Sequence, residues 1–251
     1  MTRFRILLGR EVGRTLCQPL AYIVMACLFI LTGVTFQTSV ILLNAGPSPI
    51  TLVESFFNSF LFWFPFLLSI PLLTMRVFSE EYRLGTIETL MTAPVRDGEV
   101  VLAKFLGALL FFIFVWLPTL LYFAVFWWVT GVAPAETVAG LLGGYLLLFL
   151  AGSFYLSVGV LASALTDNQI VAAVVGAVVA IVFFFFGLLW FFFPGESPLI
   201  RSLAFYVSTI EHMAIFSRGV FDSRPIIFYL SLTGFTLLLT YHALQYRRWR
   251  K

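Results

Sequence analysis

Stretches without a single charged residue divide the chain: 15–53, 55–75, 105–135, 137–166, 168–195 and 225–246. Each exceeds the ~20 residues a helix needs to cross a hydrocarbon core at ~1.5 Å rise per residue. None shows the weak alternation over ~10 residues that marks an outer-membrane strand. The pattern predicts an all-α membrane protein with six transmembrane helices, near 20–43, 54–75, 105–129, 138–164, 169–193 and 226–245. No internal repeat, low-complexity linker or soluble segment interrupts it, so residues 1–251 read as a single transmembrane domain.

Between the apolar runs lie three more polar stretches. Residues 3–18 fit a helix lying on the membrane surface. At 100° per residue Arg3, Arg10 and Arg14 fall within about 40° of one another. Phe4, Leu8, Val12 and Leu16 lie opposite, with Arg5 and Glu11 blurring that apolar face. Residues 76–104 hold five of the twelve acidic residues and four of the fifteen basic ones, between two spans that cannot face water. Residues 194–225 mix apolar and polar positions, which suits one or two short helices dipping into the interface. Within the spans, Pro65, Pro71 and Pro118 each remove a backbone donor and predict kinks. Small residues four apart, Gly140 and Gly144, then Ala172, Gly176 and Ala180, allow close helix contact inside this chain or between chains.

Composition agrees. The chain is 61% hydrophobic and 11% charged, against roughly 25% charged in a soluble domain. Its net charge of +3 is unevenly spread. With the N-terminus inside, the inner segments carry twelve Lys and Arg, and the outer ones only Arg201, Arg218 and Arg224. The positive-inside rule therefore puts both termini and the 76–104 loop in the cytoplasm, in a multi-pass protein of the plasma (inner) membrane. The basic belt accounts for the charge without nucleic acid. The apolar run after four arginines is too long for a cleavable signal core and has no clear small-x-small site. Cys17 and Cys27 stand ten residues apart on one helix, about 15 Å in rise, too far to bridge, and read as buried thiols.

Missing chemistry narrows the function. The only lysines, Lys104 and Lys251, do not precede Ser or Thr, so there is no phosphate-binding Gly-Lys-Ser/Thr loop. His212 and His242 fall at opposite faces, so no histidine pair can hold a metal. Ser153 and Ser157 lack a histidine base at matching depth, which disfavours an intramembrane protease. Charged residues fall at helix ends or in loops, leaving no intramembrane carboxylate to carry a proton. No catalytic, cofactor or metal residue is expected, and the energy for any transport must come from another chain.

The cytoplasmic loop reads Phe78-Ser79-Glu80-Glu81-Tyr82-Arg83-Leu84-Gly85-Thr86-Ile87-Glu88-Thr89-Leu90-Met91-Thr92-Ala93-Pro94, followed by Val101-Leu102-Ala103-Lys104-Phe105. Gly85 can end one short helix in a left-handed conformation, and Thr86 can cap the next. Ile87, Leu90 and Met91 fall at i, i+3 and i+4, an exposed apolar stripe on a helix ending at Pro94 and suited to a groove in a partner. This pattern, between spans two and three, resembles the cytoplasmic segment of ABC-2 type permeases, the membrane subunits of one class of ABC transporter. The outer stretch with Glu211, His212, Arg218, Gly219 and Asp222 resembles the gliding-motility-type branch.

The resemblance implies that Thr86–Met91 is a coupling helix seated in a cytoplasmic ABC ATPase. Coupling would run through Glu80, Glu81, Arg83, Gly85, Thr86, Ile87, Glu88, Leu90, Met91 and Pro94. Thr166, Asp167 and Asn168 would make a second contact. It also implies a pair of permeases in the bilayer, the same chain twice or two related ones. ATP and magnesium would be held by the partner ATPase and none by this chain. The reading is an ATP-driven exporter subunit that is itself non-catalytic. The rival is a membrane scaffold or assembly factor that docks a cytoplasmic protein without transport. Substrate, and any motility or enzyme-maturation role, are not legible.

Overall fold

In a computed structural model, residues 2–17, 19–46, 49–87, 96–131, 138–187 and 205–249 are described. Their regular structure is entirely helical. In chain order the helices are α1 (Thr2–Leu16), α2 (Pro19–Asn44), α3 (Leu52–Asn58), α4 (Phe60–Thr74), α5 (Ser79–Leu84), α6 (Asp97–Trp116), α7 (Leu120–Thr130), α8 (Val138–Leu165), α9 (Gln169–Phe186), α10 (Thr209–Ser217) and α11 (Ser223–Trp249). Among the described residues, six helical stretches are long and apolar enough to cross a membrane: Ala21–Asn44, Phe60–Leu84, Asp97–Thr130, Val138–Leu165, Gln169–Phe186 and Ser223–Arg247. The all-α, six-span architecture is the one the apolar runs imply.

Two boundaries differ from the sequence pattern. Residues 54–75 do not form one helix. Ser59 is extended, at φ −64° and ψ 134°, and splits that run into α3 and α4. Thr51 caps α3 by accepting a hydrogen bond from the Glu54 N–H at 3.2 Å. The prolines behave unequally. Pro65 and Pro71 sit inside an uninterrupted α4, while Pro118 falls in a tight 3-10 turn, Leu117–Thr119, between α6 and α7. Span three also begins earlier than 105. Asp97 opens α6, and the Glu99 carboxylate accepts from the Arg96 N–H at 3.1 Å, satisfying a donor at the helix start.

The centre of the bundle is α8, whose most apolar window is 72% buried, against 22% for the spans of α2, α9 and α11. Glycine is the local cause. At Gly143, Gly144, Gly152 and Gly159 a Cβ would overlap Phe216 of α10, Phe57 of α3, Phe112 of α6 and Thr74 of α4 respectively. Four neighbours thus approach one helix more closely than any side chain would permit. Gly176 of α9 faces Gly159 at van der Waals distance, so that small-residue contact lies within this chain. Along α11, Ser153 pairs with Thr233 at 3.2 Å and Ser157 with Thr236. Such hydroxyl pairs in lipid contribute roughly 0.6 kcal/mol each.

Aromatic rings fill much of the core. Phe56, Phe57, Phe62 and Trp63 are fully enclosed and meet edge to face at 5.2–5.5 Å between centroids. Outward faces are apolar as well: Val171, Val174, Val175, Val178 and Val182 of α9 are exposed, as a bilayer allows. Cys17 and Cys27 are free thiols but exposed, not buried as expected. Both lie on faces of the chain that no other helix covers.

Candidate functional site

One end of the bundle gathers α1, α5, the start of α6, the 165–169 turn and the last turns of α11. The other gathers α3, α10 and Arg218. The first end is heavily charged, and several of its charges face inward. Lys104, on the third turn of α6, is 2% exposed. Its ammonium lies 2.7 Å from Glu81 Oε1 and 3.3 Å from Glu11 Oε1. It also donates to the Val77 carbonyl at 2.9 Å and sits 5.3 Å from the centre of the Phe78 ring. Glu81 itself is 4% exposed and stands 3.4 Å from Arg14, which reaches Glu80 at 2.9 Å. Glu11, Lys104, Glu81, Arg14 and Glu80 therefore form one chain of alternating sign joining α1, α5 and α6.

Charged residues stand at the ends of spans two and three, as expected, but Glu81 and Lys104 are buried there as a pair. The network corrects one expectation: α1 does not lie loose on the surface. It packs along α6, where the Cβ of Glu11 would come within 3.0 Å of a Cβ at Gly107. Arg14, placed by periodicity on the solvated stripe, turns inward to the carboxylates. Glu11 on the apolar face was the available signal, because an acid there implies a buried basic partner. Lys104, flanked by Ala103 and Phe105, was the matching half.

The cytoplasmic motif residues separate into distinct roles. Helix α5 is capped from outside its own sequence: Ser163 Oγ of α8 accepts the N–H groups of Phe78 at 3.0 Å and Ser79 at 3.1 Å. Glu80 and Glu81 face the network and Arg83 faces outward. Gly85 ends α5 with φ +69°, a left-handed residue that donates to the Tyr82 carbonyl at 3.2 Å. Thr86 is exposed and already helical, so Gly85 and not Thr86 marks the junction. Ile87 departs from the expected exposed stripe. It is 5% exposed and packs with Phe78, Val100, Val101, Val160, Ala164 and Leu244. A β-branched residue one turn from a bundle of apolar side chains is better buried than offered to a partner. Glu88, Leu90, Met91 and Pro94 lie outside the described residues.

The second expected contact meets the first. Asn168 caps α9, accepting from the Ile170 N–H at 2.9 Å, and donates its own N–H to Thr166 Oγ1 at 3.2 Å. Asp167 pairs with Arg247 of α11. The Arg247 guanidinium also lies 4.4 Å from the centre of the Tyr82 ring of α5. One arginine near the end of the last span thus ties the 165–169 turn to the 79–87 segment. Nothing in the spacing of these residues marks Arg247, because it stands in a run of bases, Arg247, Arg248, Arg250 and Lys251, that reads as a positive-inside anchor.

At the other end, Ser208 caps α10 by accepting from the Glu211 N–H at 3.4 Å. The helix closes in a Schellman motif: Gly219, at φ +79°, donates to Phe216 at 2.9 Å and Val220 to Ile215 at 3.4 Å. A Cβ at Gly219 would come within 2.9 Å of Ala139. Asp222 accepts from the Arg224 N–H at 2.9 Å at the start of α11, and exposed Arg218 reaches Glu54 at 3.8 Å. His212 is 6% exposed, 3.2 Å from the Tyr229 hydroxyl. Burial pushes its pKa down to about 4, with Asp222 opposing weakly. His212 is thus a neutral packing residue. Among the described residues no group of His, Cys, Asp and Glu could hold a metal.

Six apolar spans among the described residues, packed around a glycine-lined central helix with charge gathered at one end, define a polytopic helical membrane protein. Residues 48–197, more than half of the chain, match the family described as ABC-2 family transporter protein. The chain belongs to that family and is a permease-type membrane subunit, a class that is generally non-catalytic and works with an ABC ATPase. A search of the curated proteins finds no match.

Proposed function

We propose that this chain is the membrane-spanning subunit of an ATP-driven exporter, moved by a separate ATP-binding subunit that docks on its charged end. That end carries twelve of the fifteen Lys and Arg by the topology above, which supports a cytoplasmic placement of both termini in the inner membrane. ATP and magnesium belong to the partner, and a second permease copy or a related permease completes the pathway. The outer α10 segment supports a position in the gliding-motility-type branch of the family.

The observation that carries the reading is the Tyr82–Arg247–Asp167 bridge. A force applied to either cytoplasmic contact would reach the other, and through Lys104 it would reach α1 and span three. The docking surface consists of Arg83, Thr86 and the apolar positions after Ile87. With Ile87 committed to the core, Leu90 and Met91 remain as the apolar contacts.

The test is co-purification with the cognate ATPase, with ATP turnover measured in proteoliposomes. Leu90→Asp and Met91→Asp should release the ATPase while leaving the permease folded; unchanged capture refutes the docking assignment. Paired spin labels on α4 and α9 should change separation on ATP addition. A fixed distance with the ATPase bound favours the scaffold reading.

A further inference from the structure

Beside the ion network, α1, α2, α4 and α6 converge on a cleft with two unlike halves. Its polar half is made by Glu11, Arg14, Arg76, Glu80 and Lys104. Its apolar half is made by Ala21, Val24, Leu72, Leu73 and Phe111, on helix surfaces continuous with the spans. Water-sized groups can reach about 60 Å³ of it. That is room for roughly two waters at ~30 Å³ each, or one tetrahedral oxyanion, and far below the ~300 Å³ at which small-molecule pockets begin.

The charges in the cleft are unequal in one respect. Glu11, Lys104, Glu81, Arg14 and Glu80 are all engaged with one another. Arg76 takes part in no ion pair among the described residues, and its Nε is buried without a hydrogen-bond partner. It stands two residues beyond the end of α4, between that helix and α5. A buried guanidinium donor without an acceptor is costly, and phosphate is the acceptor whose geometry a guanidinium matches. We propose that this cleft is the phosphate subsite of a bound phospholipid: Arg76 holds a lipid phosphate of the nearer leaflet while the acyl chains stay outside the cleft in the bilayer, because Val24 and Phe111 of its wall are already buried. A cleft set between membrane-spanning helices is reached by a phosphate carried on a lipid, and the experiment separates that source from a free anion. Basic pockets between transmembrane helices are a known setting for lipid headgroups. The site does not depend on any ATPase. A bound lipid would wedge α1 against α2 and α4 where α1 is already pinned to α6.

The experiment uses the full chain purified in mild detergent and read by native mass spectrometry. Wild type is expected to retain one phospholipid per chain through delipidation and to rebind dioleoyl phosphatidylglycerol or phosphatidylethanolamine. Arg76→Gln should weaken rebinding tenfold or more, the loss of a charge-assisted hydrogen bond. Arg5→Gln, at an exposed position of α1, should leave it unchanged. Equal weakening by both variants would mean nonspecific basic attraction, and unchanged binding in Arg76→Gln would remove the assignment. Equal occupancy by inorganic phosphate or glycerol phosphate at the same site would make the ligand a soluble anion and overturn the lipid. Because Arg76→Gln could disturb the bundle, a diazirine-bearing phospholipid is also photolysed with the unmodified chain. Labelling on α2, α4 or α6 at the cleft wall supports the proposal, and labelling confined to other surfaces refutes it.

Discussion

Replacing Lys104 by methionine removes the ammonium and keeps most of the side-chain volume. Glu81, 4% exposed, then loses its closest counter-charge, the 2.7 Å contact, and keeps only Arg14 at 3.4 Å, which is already shared with Glu80. Breaking a buried pair from one side costs about 3–5 kcal/mol, because the remaining charge is stranded where water does not reach. Glu11 loses its partner too, but it is less deeply enclosed and can turn to solvent. At ~2–4 °C per kcal/mol for a chain of this size, Lys104→Met should lower the melting temperature by roughly 10 °C. Glu81→Gln should cost less, about 1–3 kcal/mol, since Lys104 retains Glu11 and the Val77 carbonyl. The double variant should recover most of the loss, because removing both halves of a buried pair is far cheaper than removing one. The assay is heating in detergent followed by size-exclusion of the surviving monodisperse protein. Thiol-reactive dyes are unsuitable because Cys17 and Cys27 are exposed before unfolding. A Lys104→Met protein that melts within about 2 °C of wild type, or a double variant no better than the single, would refute the network as a buried one.

Four further outcomes follow from particular positions. Gly143→Ala would drive a methyl into the Phe216 carbonyl of α10, a backbone atom that cannot rotate away, and should cost several kcal/mol. Gly9→Ala, with nothing within 4 Å in the helical interior of α1, should instead stabilise by about 0.5–1 kcal/mol, both read by the same melting assay. His212, held neutral with a folded pKa near 4 against ~6.5 unfolded, contributes a stability that is complete above pH ~6.5 and lost as pH falls toward 4. Melting temperature should therefore drop across that window, and the drop should shrink in His212→Gln. Arg247→Gln breaks a half-exposed pair and should change stability by less than about 1 kcal/mol, while ATPase stimulation in proteoliposomes falls, which separates coupling from folding.

The spans were legible because lipid imposes a one-dimensional rule: length and absence of charge suffice, whatever the neighbours. The left-handed end of α5 was legible for a similar reason, since Gly85 follows a short polar helix and only glycine takes that backbone conformation without cost. The break at Ser59 was not, because no proline or charge marks it. There a run of apolar residues changes direction where α3 must pack on α8 and α10, and tertiary contact outweighs local propensity.

The ion network shows where single-sequence reading stops. Glu11 and Lys104 are 93 positions apart and Glu81 and Lys104 are 23 apart, so no periodicity links them. Each alone resembles ordinary interfacial charge. What distinguishes them is the company they keep: Glu11 interrupts an apolar helix face, and Lys104 sits between Ala103 and Phe105 inside a helix. Charges in such places are tolerated only in pairs, so two misfits of opposite sign at one membrane face already imply contact. Arg76, by the same rule, has no protein partner among the described residues, which places its proposed partner in the bilayer. Ile87 carries the converse lesson. An i, i+3, i+4 stripe identifies a face that must be covered but not what covers it, and here part of the cover is the chain's own α6, α8 and α11.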